Sequence, residues 1–388
     1  MQNHIPLYLD YQATTPIDPR VAEAMAPFMG EDFGNPHSSD HILGWRASQA
    51  VDSASVTIAS VLGVEADEIV FTSGATEANN LAILGTARGS QSATRRRILV
   101  SAIEHKCVLT AARALSKREG FIVEQIPVHP SGELDLEHLE RAVRDDVLLV
   151  SVMAVNNEIG SIQPLKEVSE LTQKHGAVLH SDFAQAACGV DLRALAGVVD
   201  MLSLSGHKMY GPKGIGAAYI RRDLQKVIEP IIYGGGQQNG LRSGTLPTAL
   251  CVGFAKAAEI SANENQKDAE RISALRNMFV EKLGHLVVET YLNGPGLPNR
   301  HPGNANIRFK NIDAKDLLGA LQPKLAASTG SACSSGIPEP SHVLRALGMS
   351  GDEAESSIRF SLGRTTTEEH VDQAVSLIQV ALERLKTD

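Results

Sequence analysis

Residues 200–214 read Asp200-Met201-Leu202-Ser203-Leu204-Ser205-Gly206-His207-Lys208-Met209-Tyr210-Gly211-Pro212-Lys213-Gly214. The run Asp200 to Leu204 is short and apolar, as in a strand buried on both faces. Lys208 therefore stands just past a strand end, in a turn rich in Gly, Ser and His. Burial beside a strand disfavours the charged ammonium and lowers a lysine's pKa. A lysine that must react as a neutral amine, as in Schiff-base chemistry, wants such a place. A solvated loop lysine fits the same residues, so the rest of the chain has to decide.

Outward from this turn, strand and helix patterns alternate. Trp45 to Leu62 carries Ala47, Val51, Ala54, Ile58 and Val61 on one helical face and ends at Gly63. Glu68 to Thr72 reads as a strand, followed by a helix from about Glu77 to Arg88. Ile98–Ser101, Phe121–Ile126, Val147–Met153 and Ala177–His180 read as further strands, separated by helices over Cys107–Lys117, Asp135–Val143 and Leu165–Lys174. Such alternation predicts a mostly parallel sheet covered by helices, an α/β fold. The texture changes after about Ser261. A charged helical stretch, Asn263 to Leu283, leads into strands at Asn304–Phe309 and Ser356–Leu362 and helices at Asp316–Leu321 and Glu368–Leu385, a smaller α+β unit.

The 388 residues are 43% hydrophobic and 21% charged, which is globular composition. The net charge of −9 argues against wholesale binding to nucleic-acid phosphates. The basic run Arg95-Arg96-Arg97 reads as a solvated turn. Apolar runs such as Val147 to Val150 are too short to span a bilayer. The first residues have neither a basic nor an apolar signal segment, and the four cysteines form no CxxC pair, so a cytoplasmic protein with reduced thiols is expected. No metal-ligand spacing is present.

Four features fall at strand ends, where open α/β sheets place ligands. Thr72-Ser73-Gly74-Ala75-Thr76-Glu77 joins a strand to a helix start and can bind an anion through backbone N–H groups and the Thr76 hydroxyl, or simply cap the helix. Glu104-His105-Lys106 follows the strand at Ile98, and His105 is either structural or catalytic. His180-Ser181-Asp182-Phe183-Ala184-Gln185 offers a carboxylate and an amide that can hold a ring, with a helix N-cap as the other reading of Asp182. Ser205 and His207, with Lys208, are the fourth. Together they match what pyridoxal phosphate (PLP) needs: a lysine, an acid for the pyridinium nitrogen and a phosphate cup.

The runs Phe71 to Asn80 (FTSGATEANN), Val152 to Gly160 (VMAVNNEIG), Ser205 to Gly216 (SGHKMYGPKGIG), Arg242 to Pro247 (RSGTLP) and Gly330 to Ser335 (GSACSS) resemble the cysteine desulfurases of the NifS/IscS type. These are PLP enzymes of fold type I in the class V aminotransferase family, and the resemblance spans nearly the whole chain. It implies a large domain over 15–262 with a mostly parallel seven-stranded sheet, and a small domain made of 1–14 and 263–388. It implies that Lys208 carries PLP and that His105 stacks on the ring and moves protons. Asp182 would bind the ring nitrogen and Gln185 the ring oxygen. Gly74, Ala75, Thr76, Ser205 and His207 would hold the phosphate, and Thr245 would reach the phosphate of a neighbouring subunit in a homodimer. Asn157 and Arg359 would take the substrate carboxylate, although a surface ion pair also fits Arg359.

Cys333 narrows the reaction. It lies in Thr329-Gly330-Ser331-Ala332-Cys333-Ser334-Ser335-Gly336, among small residues that suit an exposed loop rather than a core. Cys107 and Cys188 sit at element starts as packing residues, and Cys251 lies in an apolar helix. The resemblance implies conversion of L-cysteine to L-alanine, with the sulfur held as a persulfide on Cys333. Acceptor proteins of iron–sulfur cluster assembly or thiolation would then receive it. A selenocysteine lyase-type elimination, a desulfurase dedicated to DNA phosphorothioation and a non-catalytic PLP scaffold are the other readings. Neither a membrane nor direct nucleic-acid binding is expected. Two residues depart from the family pattern: Phe183, where a small residue is usual and a tighter cofactor pocket would follow, and Cys188, where glycine is common.

Overall fold

The computed structural model describes residues 6–330 and 340–385; Cys333 lies outside the described residues. The strands in chain order are β1 (Leu7–Tyr8), β2 (Ile69–Thr72), β3 (Arg97–Ser101), β4 (Ile122–Ile126), β5 (Val147–Ser151), β6 (Val178–Asp182), β7 (Met201–Ser205), β8 (Gly216–Ile220), β9 (Thr290–Leu292), β10 (Asn304–Phe309), β11 (Leu325–Ala326) and β12 (Ser357–Ser361). Seven form one sheet in the order β2-β8-β7-β6-β5-β3-β4. β8 alone runs against its neighbours β2 and β7, and every other pair is parallel. The run opened on above is β7, buried at all five positions, as a central strand in a covered sheet requires. This is the α/β fold expected from the alternation.

One face of the sheet is packed by the helix Ile42–Leu62, through Val51, Ile58 and Leu62, together with Phe254. The other face holds Leu81, Ala82, Val108 and Leu115, from helical residues 75–89 and the helix Lys106–Glu119. A separate core gathers Phe279, Phe309, Phe360 and Ile378 around the antiparallel sheet β9-β10-β12. The N-terminal strand β1 joins this second group by pairing in parallel with β11.

Three expectations need correction. The helix placed at Asn263 begins at Thr248 and runs unbroken to Leu283, 36 residues. Its first half, through Cys251, Phe254 and Ile260, belongs to the core under the large sheet, and its second half, through Ile272, Leu275 and Phe279, to the other. The change of texture near Ser261 is thus a change of surroundings along one helix. The arginine run is not a solvated turn. Arg95 donates to the carbonyls of Val147 (3.0 Å), Gly176 (2.9 Å) and His175 (2.8 Å), Arg96 lies over the Phe121 ring at 3.8 Å, and Arg97 pairs with Glu124 at 2.6 Å. The run clasps the chain where it enters β4, β5 and β6 by satisfying carbonyls there. Phe183 is fully buried in the main core and does not line the cavity described next.

Candidate functional site

The C-terminal ends of β2, β3, β5, β6 and β7 open onto a cavity of ≈ 460 Å³. Its lining includes Gln12, Gly74, Ala75, Thr76, His105, Asn157, Asp182, Gln185, Ser205, His207, Lys208 and Arg359. Each sequence-expected cofactor or substrate residue among the described ones is therefore brought together, except Thr245. Thr245 is exposed and does not line the cavity of its own chain.

Local structure explains each position. β7 ends at Ser205 and a single 3₁₀ turn, Gly206–Lys208, carries the lysine into the cavity. Lys208 Nζ donates to the carbonyls of Gln12 (2.6 Å) and Ala13 (2.8 Å). The N-terminal strand segment thus holds the amine from the opposite side. The turn after β2 passes through Gly74 at φ 149°, ψ 178°, a region only glycine adopts without strain. β8 approaches so closely that a Cβ on Gly216 would sit 2.7 Å from the Gly74 Cα. The helix that follows starts at Ala75, and the first N–H groups of a helix have no intrahelical acceptor. Glu77 ties this turn down by accepting from the Ser73 N–H at 2.7 Å and from Arg242 Nε at 2.8 Å. Burial raises its pKa, but these hydrogen bonds outweigh it and hold the carboxyl below its ordinary value.

Asp182 closes β6. Its carboxylate accepts from the Ala184 N–H (2.8 Å) and from Asn79 Nδ2 (2.7 Å). The helix-cap reading is replaced by a held carboxylate facing the cavity. Gln185 Nε2 donates to the Gln12 carbonyl at 2.9 Å. His207 makes a 3.1 Å contact with Thr14 Oγ1, and burial, then the charges of Lys208 and Lys213, push its pKa down to about 4. At neutral pH it is a neutral ring. Beside the cavity, Glu104 is fully buried and accepts from the Met153 N–H at 2.5 Å. Burial pushes its pKa well above the ordinary carboxylate range.

Arg359, on β12, donates to the Asn157 carbonyl (2.9 Å), to Asp10 (2.7 Å) and to Ser328 Oγ (2.9 Å). The surface ion pair is not found: Arg359 is buried, and Asp10 fixes its guanidinium from within while the residue lines the cavity. Arg359 Nε and Gln12 Nε2 are buried with no hydrogen-bond partner among the described residues. Two unsatisfied donors in one cavity's lining are what a site for an anionic, carbonyl-rich ligand requires. A carboxylate, an amide, an amine and a hydroxyl-rich turn share that cavity, so the residues fit PLP.

Sequence reading missed Gln12, Asn79, Cys107 and Asp10. Gln12 and Asp10 come from an N-terminal segment whose place opposite Lys208 is set by the β1–β11 pairing, a contact over 300 residues long in sequence. Cys107 is more than a packing residue, since it lines the cavity. Its spacing of two from His105, across a helix start, was the available signal.

Two buried histidines outside the cavity lining make the fold acid-sensitive. His180, within β6, contacts Ser151 Oγ at 2.9 Å and Ser203 Oγ at 3.2 Å, and His301 accepts from the Gly303 N–H at 3.2 Å. Burial pushes both down to about 4. Their folded pKa lies below the unfolded one, so their contribution is present above about pH 6.5 and is lost as pH falls through 4. We expect the free energy of unfolding in urea to decline over this window, and His180→Gln to bind about one proton fewer on unfolding. An unchanged pH slope in the variant would refute the assignment.

Comparison with known proteins agrees with this geometry. The Aminotransferase class-V family matches residues 7–374. A cysteine desulfurase IscS of Rickettsia typhi is 48% identical over 384 residues, covering 98% of this chain and 92% of that protein. Among solved structures, a NifS-like protein superposes with a TM-score of 0.90 at 37% identity, covering 97% of this chain and 99% of that one. SspA in complex with cysteine superposes at 0.79 with 36% identity, covering 93% and 99%. Among the described residues, no helix is long and apolar enough to cross a membrane.

Proposed function

Since the chain belongs to the class-V aminotransferase family, and within it to the cysteine desulfurases of the NifS/IscS type, we propose that this PLP-dependent enzyme draws sulfur from L-cysteine in the cavity at the strand ends, with Lys208, His105 and Cys333 as its catalytic residues. The observation that carries the assignment of residues is the convergence of Lys208, Asp182, Gln185, His207 and Arg359 on that one cavity. PLP, when bound, supplies an electron sink for carbanion character at the substrate Cα.

Asp182, already held by two donors, would keep a proton on the ring nitrogen, and Gln185 would bond the ring oxygen. Gly74, Ala75, Thr76, Ser205 and His207 hold the phosphate. The neutral His207 serves as a donor without adding charge. His105 would lie against the ring and move protons. Arg359, oriented by Asp10 and Ser328, receives the substrate carboxylate with Asn157. Lys208 would hold the cofactor through Nζ and would serve as the base that takes and returns the Cα proton. The Cys333 thiolate attacks the substrate sulfur, and the Cβ–S bonding pair stays with the carbon fragment. L-cysteine and the Cys333 thiol become L-alanine and a Cys333 persulfide, so atoms and electrons balance. The half-buried thiol of Cys188 and the buried thiol of Cys251 are poor candidates for that attack, because desolvation pushes each up to about 12.

Thr245 reaches the partner's phosphate in a homodimer, which places an exposed residue at a second site. Met29, Phe33 and Tyr233, each over 70% exposed, supply apolar surface for that association. The division into 15–262 and 1–14 with 263–388 assigns the cofactor to the first part and Cys333 to the second. The enzyme acts in the cytoplasm, where its thiols stay reduced. Acceptor proteins of iron–sulfur cluster assembly or thiolation take the sulfur.

Incubation with L-cysteine and a reductant tests the reading: equimolar alanine and sulfide are expected, whereas pyruvate with sulfide would mean elimination instead. Arg359→Lys loses the planar fork and is expected to lower kcat/KM about 10- to 100-fold, mostly through KM. An unchanged KM would remove Arg359 from the carboxylate site.

A further inference from the structure

The network around His105 contains a thiol that the reaction does not use. His105 caps the helix Lys106–Glu119, and its Nδ1 accepts the Cys107 backbone N–H at 3.2 Å. Cys107 Sγ lies 2.9 Å from the same Nδ1. Asn79 Nδ2 reaches Cys107 Sγ at 3.2 Å and Asp182 at 2.7 Å. Asn79 is fully buried, and its Oδ1 has no partner among the described residues.

Proton accounting decides the direction of this chain. An imidazole nitrogen that accepts a backbone N–H cannot itself carry a proton in a good geometry. Nδ1 is therefore the bare nitrogen, and the thiol S–H shares its single lone pair with the backbone N–H. Asn79, whose amide nitrogen can only donate, feeds the sulfur from behind and Asp182 from the same group. In a neutral ring the proton must then sit on Nε2.

We propose that Cys107 is a positioning residue that holds His105 in its Nε2–H tautomer and, through Asn79, ties that ring to the Asp182 carboxylate. This rests on His105 as the acid/base group of the cavity. A hydrogen bond of this kind changes an equilibrium by about 2- to 10-fold. The thiol thus sets how fully one tautomer is populated, not whether the ring is present.

The test uses protein labelled with ¹⁵N-histidine, measured both free of cofactor and loaded. With wild-type protein the His105 ring should show a bare Nδ1 and a protonated Nε2. Cys107→Ala should raise the Nδ1–H population about 2- to 10-fold and lower kcat by a similar factor, with KM unmoved. Cys107→Ser, which keeps a donor at this place, should restore both. Identical ring shifts in wild type and Cys107→Ala would overturn the proposal, as would a serine variant that behaves like alanine. His105→Gln separates the two readings. Full turnover in that variant would end the acid/base role of His105 while leaving the tautomer result standing.

Discussion

Serine at position 333 is expected to cut sulfide release from L-cysteine by roughly 10³-fold or more, the scale on which removal of an enzyme's nucleophile acts. The hydroxyl is too weakly acidic to form an attacking anion at neutral pH, and oxygen cannot accept the sulfur as a persulfide. Cofactor content and the visible change on adding L-cysteine should stay at wild-type levels, because the residues proposed to hold the cofactor are those of the cavity and do not include Cys333. The contrast is the diagnostic: chemistry at the cofactor without sulfur transfer. Sulfide release at full rate under dithiothreitol would remove Cys333 from the reaction.

Lys208→Ala should be equally severe by a different route. The variant loses the group proposed to hold the cofactor covalently and to move the Cα proton, a combined loss of at least ~10³-fold. Borohydride treatment should fix the cofactor to the wild-type chain and not to the variant. Some cofactor should still bind through the residues around Gly74, Asp182 and Gln185. The carbonyls of Gln12 and Ala13 then lose the donor they share in Lys208 Nζ, so local order in residues 12–15 should fall as well. Turnover retained in Lys208→Ala would defeat the assignment.

Much of this was legible in the sequence because the relevant signals are local. β7 reads as five buried positions with no polar interruption beyond serines, and Gly63 ends its helix in the left-handed conformation that glycine favours. The residues proposed for the cofactor follow strand ends, and a strand end followed by Gly, Ser or His is visible in a one-dimensional string. What stayed hidden depends on distant pairing. Asp10 reaches Arg359 across 349 positions, and Asn304 Nδ2 donates to Gln12 Oε1 at 2.6 Å across 292. No periodicity reports such contacts. The arginine run was misread for a related reason: its acceptors are carbonyls at the edges of three strands, which a charge count cannot register.

The helix Thr248–Leu283 has a consequence for how the chain holds together. At 1.5 Å per residue it is about 54 Å long, a shared beam between the two cores. A cut at 262/263 would leave two half-helices, each fraying at its new end and each baring the last turns that its core had ordered. Neither fragment is then a self-sufficient foldon, and loss of either core propagates along the beam to the other. The pieces of this enzyme are distinct in topology yet joined in cooperativity.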